Sequence, residues 1–221
     1  MIYPYKNYYP FFTVIVSTFN RRNLLSRAFN SLLEQDELDW ECIIVEDGSK
    51  DDCFDIAKNL INEHPNFRYL YHSNRGHGLT RNAGILASVG KYITFLDSDD
   101  EYKKNHLKLR KEFLLDNSQY DFLYSKAEIV GNPYVPDMNN IGKEIHLDNC
   151  VIGGTFVIKR ESAIRIGGFS DLRFGDDFDF FNRAKSFGLK ITELDYKTYI
   201  YHRDTADSLC NNYFLKDSNE D

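Results

Sequence analysis

Apolar positions along this chain follow two rhythms. Phe12-Thr13-Val14-Ile15-Val16-Ser17, Glu41-Cys42-Ile43-Ile44-Val45, Phe67-Arg68-Tyr69-Leu70-Tyr71 and Tyr92-Ile93-Thr94-Phe95-Leu96 are compact, mostly apolar runs. Runs of this length, rich in β-branched and aromatic residues, predict buried strands. Between them the apolar residues recur every three or four positions: Leu24, Leu25, Ala28, Phe29, Leu32 and Leu33, then Phe54, Ala57, Leu60 and Ile61, then Ala83, Leu86 and Ala87. That spacing predicts amphipathic helices. Asp51 and Asp52 stand where a cap for the second helix is expected, and Gly90 where the third should end.

Strand and helix in alternation imply right-handed crossovers and an α/β fold, a mostly parallel central sheet flanked by helices on both faces. In such sheets ligands bind outside the carboxyl ends of the strands. Asn20, Asp47 and the acids at 97, 99 and 100 all fall at those ends. The second half is less regular and predicts a smaller mixed part. Residues 108–115 read as helix, 120–130 as extended and 131–142 as loop. Residues 151–159 hold Gly153-Gly154 before a strand-like run, a helix is expected to start near Asp176-Asp177, and a last strand is expected over 190–201. No repeat or linker interrupts the chain, so the expectation is one domain over 1–221 with two functional halves, about 1–100 and 101–221.

Composition narrows the function classes. The 221 residues are 42% hydrophobic and 15% aromatic, a mix that buries a core. A net charge of −7 without a basic run excludes generic nucleic-acid binding, which needs cationic surface. No stretch approaches the roughly 20 apolar residues of a membrane helix, and Met1-Ile2-Tyr3-Pro4-Tyr5-Lys6 lacks the apolar centre of a signal peptide. Cys42, Cys53, Cys150 and Cys210 lack metal-ligand spacing and read as reduced thiols. The expectation is a cytoplasmic protein, with peripheral association at the inner face of a membrane left open. The tyrosines at 3, 5, 8 and 9 suit either packing or stacking on sugars.

Leu96-Asp97-Ser98-Asp99-Asp100 then becomes the centre of interest. Three carboxylates within four residues repel one another unless a cation lies among them. Read alone, the cluster is solvated or holds a divalent ion, with Asp100 open to a second role as the next helix's cap.

Several segments together carry a resemblance: Val16-Ser17-Thr18-Phe19-Asn20-Arg21, Ile44-Val45-Glu46-Asp47-Gly48-Ser49, Thr80-Arg81-Asn82-Ala83-Gly84-Ile85, Phe95-Leu96-Asp97-Ser98-Asp99-Asp100, and Gly167-Gly168-Phe169 followed by Gly175-Asp176-Asp177. In this order the chain resembles the inverting family 2 glycosyltransferases of GT-A fold, over 14–100 and more loosely over 153–208. The resemblance implies a UDP-sugar donor, a glycan or lipid-linked sugar acceptor, and Mn²⁺ or Mg²⁺ acting as Lewis acid on the departing diphosphate. It implies Asp99 as main metal ligand, with Asp97 holding the ribose or supporting the metal, and His202 as a third metal ligand or a diphosphate contact. Thr18, Asn20 and Asp47 would line the base pocket, with Asp47 on the uracil N3–H, and Ser98 would belong to the donor site. Arg81 would reach the diphosphate or sugar. Asp177 would be the catalytic base that inversion requires, with Asp176 orienting the acceptor, although either of the pair could serve as base. Asp176 and Glu46 depart from the family's more usual Glu and Asp. His72, His77 and His106 match no part of the pattern.

Two other classes use some of the same residues. A haloacid-dehalogenase-type phosphatase employs a DxD pair as nucleophile and acid/base, but on its first strand, whereas Asp97 and Asp99 follow the fourth. A non-catalytic nucleotide-sugar-binding module on the same fold would not need Arg81 and Asp177 alongside the DxD. A nucleotidyltransferase would need a glycine-rich loop where Ser17-Thr18-Phe19-Asn20-Arg21 stands.

Overall fold

The computed structural model describes residues 9–137, 140 and 142–204. Tyr3, Tyr5, Tyr8, Cys210 and the end of the looser resemblance lie outside these residues. The first half runs β1 (Phe12–Thr18), α1 (Leu25–Leu33), β2 (Trp40–Asp47), α2 (Cys53–Glu63), β3 (Phe67–His72), α3 (His77–Ala87) and β4 (Tyr92–Phe95). The second runs β5 (Glu101–Tyr102), α4 (His106–Asp116), β6 (Phe122–Ser125), β7 (Glu128–Val130), β8 (Tyr134–Pro136), β9 (Glu144–His146), β10 (Val157–Lys159), α5 (Arg160–Arg165), α6 (Asp176–Ser186), β11 (Ile191–Leu194) and β12 (Tyr199–His202).

Among the described residues a seven-stranded sheet has the order β11-β6-β10-β4-β1-β2-β3. Every pairing in it is parallel except those of β10 with β4 and β6. Successive strand residues face opposite sides, and the core divides accordingly. Val14, Val16, Cys42 and Ile44 pack with Leu25, Phe29 and Leu32 of α1 and Ala57 of α2. Ile15, Ile43 and Val45 pack with Ile85 of α3, Ala163 of α5 and Phe180 of α6. The helices thus cover both faces, as the periodicity predicts. Trp40 is buried edge-on against Phe67, with ring centroids 5.6 Å apart.

The second half differs from its sequence reading at several points. The expected strand over 190–201 is two strands in two sheets. β11 pairs with β6 at the edge of the large sheet, while β12 lies between β5 and β7 in a separate three-stranded sheet. Residues 120–130 divide in the same way between β6 and β7, and the presumed loop holds β8, paired with β9. An apolar run does not record which sheet it joins. Asp52 does not cap α2 through its side chain: it adopts a left-handed φ of 56° and makes no capping bond. The carboxylate of Asp51 instead accepts from the Arg22 N–H at 2.8 Å and from the Cys53 thiol at 2.7 Å.

Candidate active site

The site is organised by Arg81. Gly84 lies so close to β1 that a Cβ would come within 2.6 Å of Ile15 Cγ2. α3 therefore presses onto the sheet and delivers Arg81 to the end of β4. The guanidinium is 1% exposed, donates from Nη2 to Asp97 Oδ1 at 2.8 Å and from Nη1 to Asp177 Oδ1 at 2.6 Å, and lies 5.3 and 5.1 Å from the ring centroids of Phe95 and Phe169. Burial opposes its charge, yet Asp97 and Asp177 outweigh that and raise its pKa. Its two terminal nitrogens are thus engaged by carboxylates, while its Nε has no partner among the described residues.

Asp177 opens α6 and accepts a second bond on Oδ2, from the Gly153 N–H at 2.8 Å. A Cβ at Gly153 would fall 2.2 Å from Asp177 Oδ1, and one at Gly154 would meet the Tyr199 ring at 2.2 Å. The double glycine is thus what lets two functional side chains approach this turn. Burial raises the Asp177 pKa; Arg81 opposes this, Asp176 adds to it, and the net shift is upward. Asp97 moves the other way. Burial would raise it, but the Arg81 charge and the His77 bond hold it well below the usual carboxylate range. Two carboxylates on one guanidinium therefore diverge, which is how a site separates a base from a permanently charged acid.

His77, matched to nothing in the sequence, stands between the acids. Its Nδ1 is 3.2 Å from Asp176 Oδ2 and its Nε2 3.4 Å from Asp97 Oδ1. Burial and Arg81 lower its pKa, but bonds to Asp176 and Asp97 and the charge of Asp97 carry it up to about 9. Asp176 is lowered because His77 and Arg81 outweigh its burial. The signal available in the sequence was spacing: His77 and Arg81 are four apart and share one face of a helix.

The remaining acids separate by environment. Asp100 does not cap a helix, since α4 starts at His106 after Asn105. It is fully buried, accepting from the Tyr199 hydroxyl at 2.5 Å and the His202 N–H at 2.8 Å. Burial and the charges of Asp97 and Asp99 push its pKa well above the ordinary value. His202 thus enters through its backbone, while its Nε2 lies 2.7 Å from Glu101 Oε1. Its Nδ1 is buried without a hydrogen-bond partner among the described residues. Asp99 is half-buried, its carbonyl accepting from Arg27, and Ser98 is buried. Among the described residues no trio of His, Cys, Asp and Glu is spaced to cage a metal. The donor set instead fits an ion held by one or two carboxylates plus substrate phosphates, the usual manner for Mg²⁺.

The residues expected at the base pocket also tie loops together. Asp47 is 4% exposed and accepts from the Arg75 N–H at 2.7 Å, the Gly76 N–H at 2.9 Å and Asn74 Nδ2 at 3.1 Å, with His72 Nδ1 3.2 Å away. It ties the loop before α3 to the end of β2. Asn20, at φ 52°, accepts from the Lys50 N–H at 2.9 Å and donates its own N–H to Ser49 Oγ at 3.0 Å. It clips two loops together. Thr18 is buried with its hydroxyl unpaired among the described residues, and Phe19 beside it is 45% exposed.

Residues 13–173 match the family model described as glycosyl transferase family 2. The chain belongs to that family. The chain is similar to a putative teichuronic acid biosynthesis glycosyltransferase, TuaG of Bacillus subtilis, 33% identical over 168 residues that cover 72% of this chain and 66% of the relative. A GalNAc(5)-diNAcBac-PP-undecaprenol beta-1,3-glucosyltransferase of Campylobacter jejuni is 32% identical over 61% of this chain and 42% of its own length. The chain spans 18% of a glycosyltransferase of Rickettsia felis and no more than two thirds of these other relatives. Among solved structures, S. aureus TarS 1-349 in complex with UDP-GlcNAc superposes with a TM-score of 0.75 and 25% identity, covering 90% of this chain and 60% of that one. The mannosyltransferase PcManGT of Pyrobaculum calidifontis, in complex with GDP-Man and Mn2+, shares the fold at a TM-score of 0.71 and 17% identity, covering 96% of this chain and 62% of that one. The fold is therefore the GT-A α/β arrangement of family 2. Asp176 and Asp177 lie just beyond the matched segment, so their place in the site rests on the geometry above.

Proposed function

We propose that this family 2 domain transfers a hexose or N-acetylhexosamine from a UDP-sugar to a sugar hydroxyl of a glycan, polysaccharide or lipid-linked acceptor, with inversion. The observation that carries the reading is the pair of carboxylates on Arg81. Asp177, with its pKa raised, is the base that takes the acceptor's proton as the new bond forms. Asp97, always ionised, stands with Asp99 where the donor's diphosphate arrives. Mn²⁺ or Mg²⁺ held by Asp99, with Asp97 in support, would neutralise charge on the leaving diphosphate. Asp176 orients the acceptor, and Thr18, Asn20 and Asp47, at the ends of β1 and β2, line the base pocket. The UDP-GlcNAc complex of TarS supports the donor class, and the names of the Bacillus and Campylobacter relatives support a glycopolymer or lipid-linked acceptor. A phosphatase of the haloacid-dehalogenase type would carry this pair after its first strand, whereas Asp97 follows β4. Among the described residues no helix is long and apolar enough to cross a membrane.

Calorimetry with a panel of UDP-, GDP- and dTDP-sugars in the presence of Mn²⁺ tests the donor, and a UDP-sugar should bind. If every UDP-sugar fails to bind while another nucleotide sugar does, the donor assignment is overturned. Asp177→Asn should abolish transfer while leaving donor affinity within about threefold, because a base acts in the transition state and not in donor binding. Equal loss of both would make Asp177 structural.

A further inference from the structure

His77 belongs to neither the family pattern nor the donor reading, yet it is the one described side chain lying between Asp97 and Asp176. Its seat is built by glycines. Gly76 precedes it at φ +90°, and a Cβ at Gly78 would fall 2.7 Å from the Ser170 carbonyl oxygen. α3 is thereby pressed against the turn that leads to α6, with the imidazole in the gap and 30% of its side chain open to the cleft.

The partners of the three acids are unequal. Asp97 keeps Arg81 at 2.8 Å, and Asp177 keeps Arg81 at 2.6 Å and the Gly153 N–H at 2.8 Å. Among the described residues Asp176 has one side-chain hydrogen-bond partner, His77, and that contact is shorter than the one His77 makes to Asp97. The seam itself does not depend on His77. Asn82 Nδ2 donates to the Phe169 carbonyl at 2.8 Å, and the Phe169 N–H donates to Asn82 Oδ1 at 2.7 Å. Loss of the imidazole therefore frees Asp176 while leaving the base, the seam and Asp97's main partner in place.

We propose that His77 is the positioning residue of the acceptor side, holding the Asp176 carboxylate against α3 so that it receives a hydroxyl neighbouring the one that reacts. The assignment of Asp176 to the acceptor rests on the proposed function; the hold of His77 on Asp176 does not. Chain length separates the two contacts. An Asn side chain places an N–H donor where Nδ1 sits and can restore the bond to Asp176, whereas Gln reaches the place of Nε2 and restores only the bond to Asp97.

Crystal structures and kinetics of His77→Ala, His77→Asn and His77→Gln test this. The kinetics use UDP-GlcNAc and a panel of p-nitrophenyl hexosides and N-acetylhexosaminides. In His77→Ala the Asp176 carboxylate should leave its site while Asp97 and Asp177 stay, and His77→Asn should return it. Acceptor kcat/KM should fall about tenfold in the Ala and Gln variants, the size of one lost charge-assisted bond, with donor KM unchanged. His77→Asn should recover most of the loss. In an Asp176→Ala background, His77→Ala should cost nothing further. An unmoved Asp176 in His77→Ala, rescue by Gln in place of Asn, or additive losses would overturn the assignment. If the wild type transfers to no acceptor, the proposed function fails on those substrates, and the crystal structures still decide the hold on Asp176.

Discussion

At the residue scale, the site turns on one buried guanidinium shared by two carboxylates with opposite fates. Arg81 and His77 hold the Asp97 pKa down; Asp177 also gains Arg81, but partial burial and the charge of Asp176 outweigh it and its pKa rises. A base must be unprotonated to work. Because the folded pKa of Asp177 lies above the ordinary carboxylate value of about 3.9, kcat/KM should fall as pH drops through a value higher than that. A pH–rate profile checks this: the acid limb should be displaced upward from the ordinary carboxylate range. Asp177→Glu should move that limb, while Asp177→Asn should remove the activity that reports it. A limb at or below the ordinary carboxylate range would show that Arg81 dominates over burial. None of these shifts is legible in the sequence, since Asp97 and Asp177 are distant in the chain and neither motif records that they share Arg81. The acids themselves were legible, because three carboxylates at a strand end need a reason to be there.

At the element scale, helix α3 is the part that joins the end of β4 to the turn before α6. Its face carries His77, Gly78, Arg81, Asn82 and Gly84, and each has a contact: Asp176, Ser170, Asp97 with Asp177, Phe169 and Ile15 respectively. Gly84→Ala would place a methyl 2.6 Å from Ile15 Cγ2. Overpacking of this kind costs about 1–3 kcal/mol, so thermal unfolding should drop by about 2–4 °C for each kcal/mol in a chain of this size. Transfer activity should fall as well, because Arg81 shifts with the helix. Ile15→Ala removes all three Ile15 atoms that the new methyl meets, so the double variant should lose less than the sum of the two single losses. An unchanged Tm in Gly84→Ala would mean that α3 can move off the sheet freely. The first four strands and three helices were readable because each buries a regular face and the hydrophobic period reports it. The break of 190–201 into β11 and β12 was not, because both pieces are apolar and only their partners differ.

At the scale of the whole molecule, the described residues supply carboxylates for a metal but no enclosing cage. An ion held in this way depends on the donor's phosphates and contributes little to the fold. Chelation with EDTA should therefore abolish transfer and reverse on adding Mn²⁺, while the donor-free Tm changes by less than about 1 °C. With donor present, Mn²⁺ should raise the Tm, since a ligand that binds only the folded state stabilises it. A large fall in Tm on chelation alone would reveal a structural metal elsewhere.

Periodicity by itself determined the α/β class, the parallel run of strands and the strand ends at which function collects. The motifs determined the family and the identity of the acids. Only the tertiary structure decided what each acid does. It turned Asp47 and Asn20 into loop ties, sank Asp100 against Tyr199 and set Arg81 between Asp97 and Asp177. It also brought His77 to Asp176. The physical reason is that hydrophobic burial acts along the chain with a period that can be read, whereas charge acts through space. A carboxylate's partners, and so its protonation, are known only once distant segments have met.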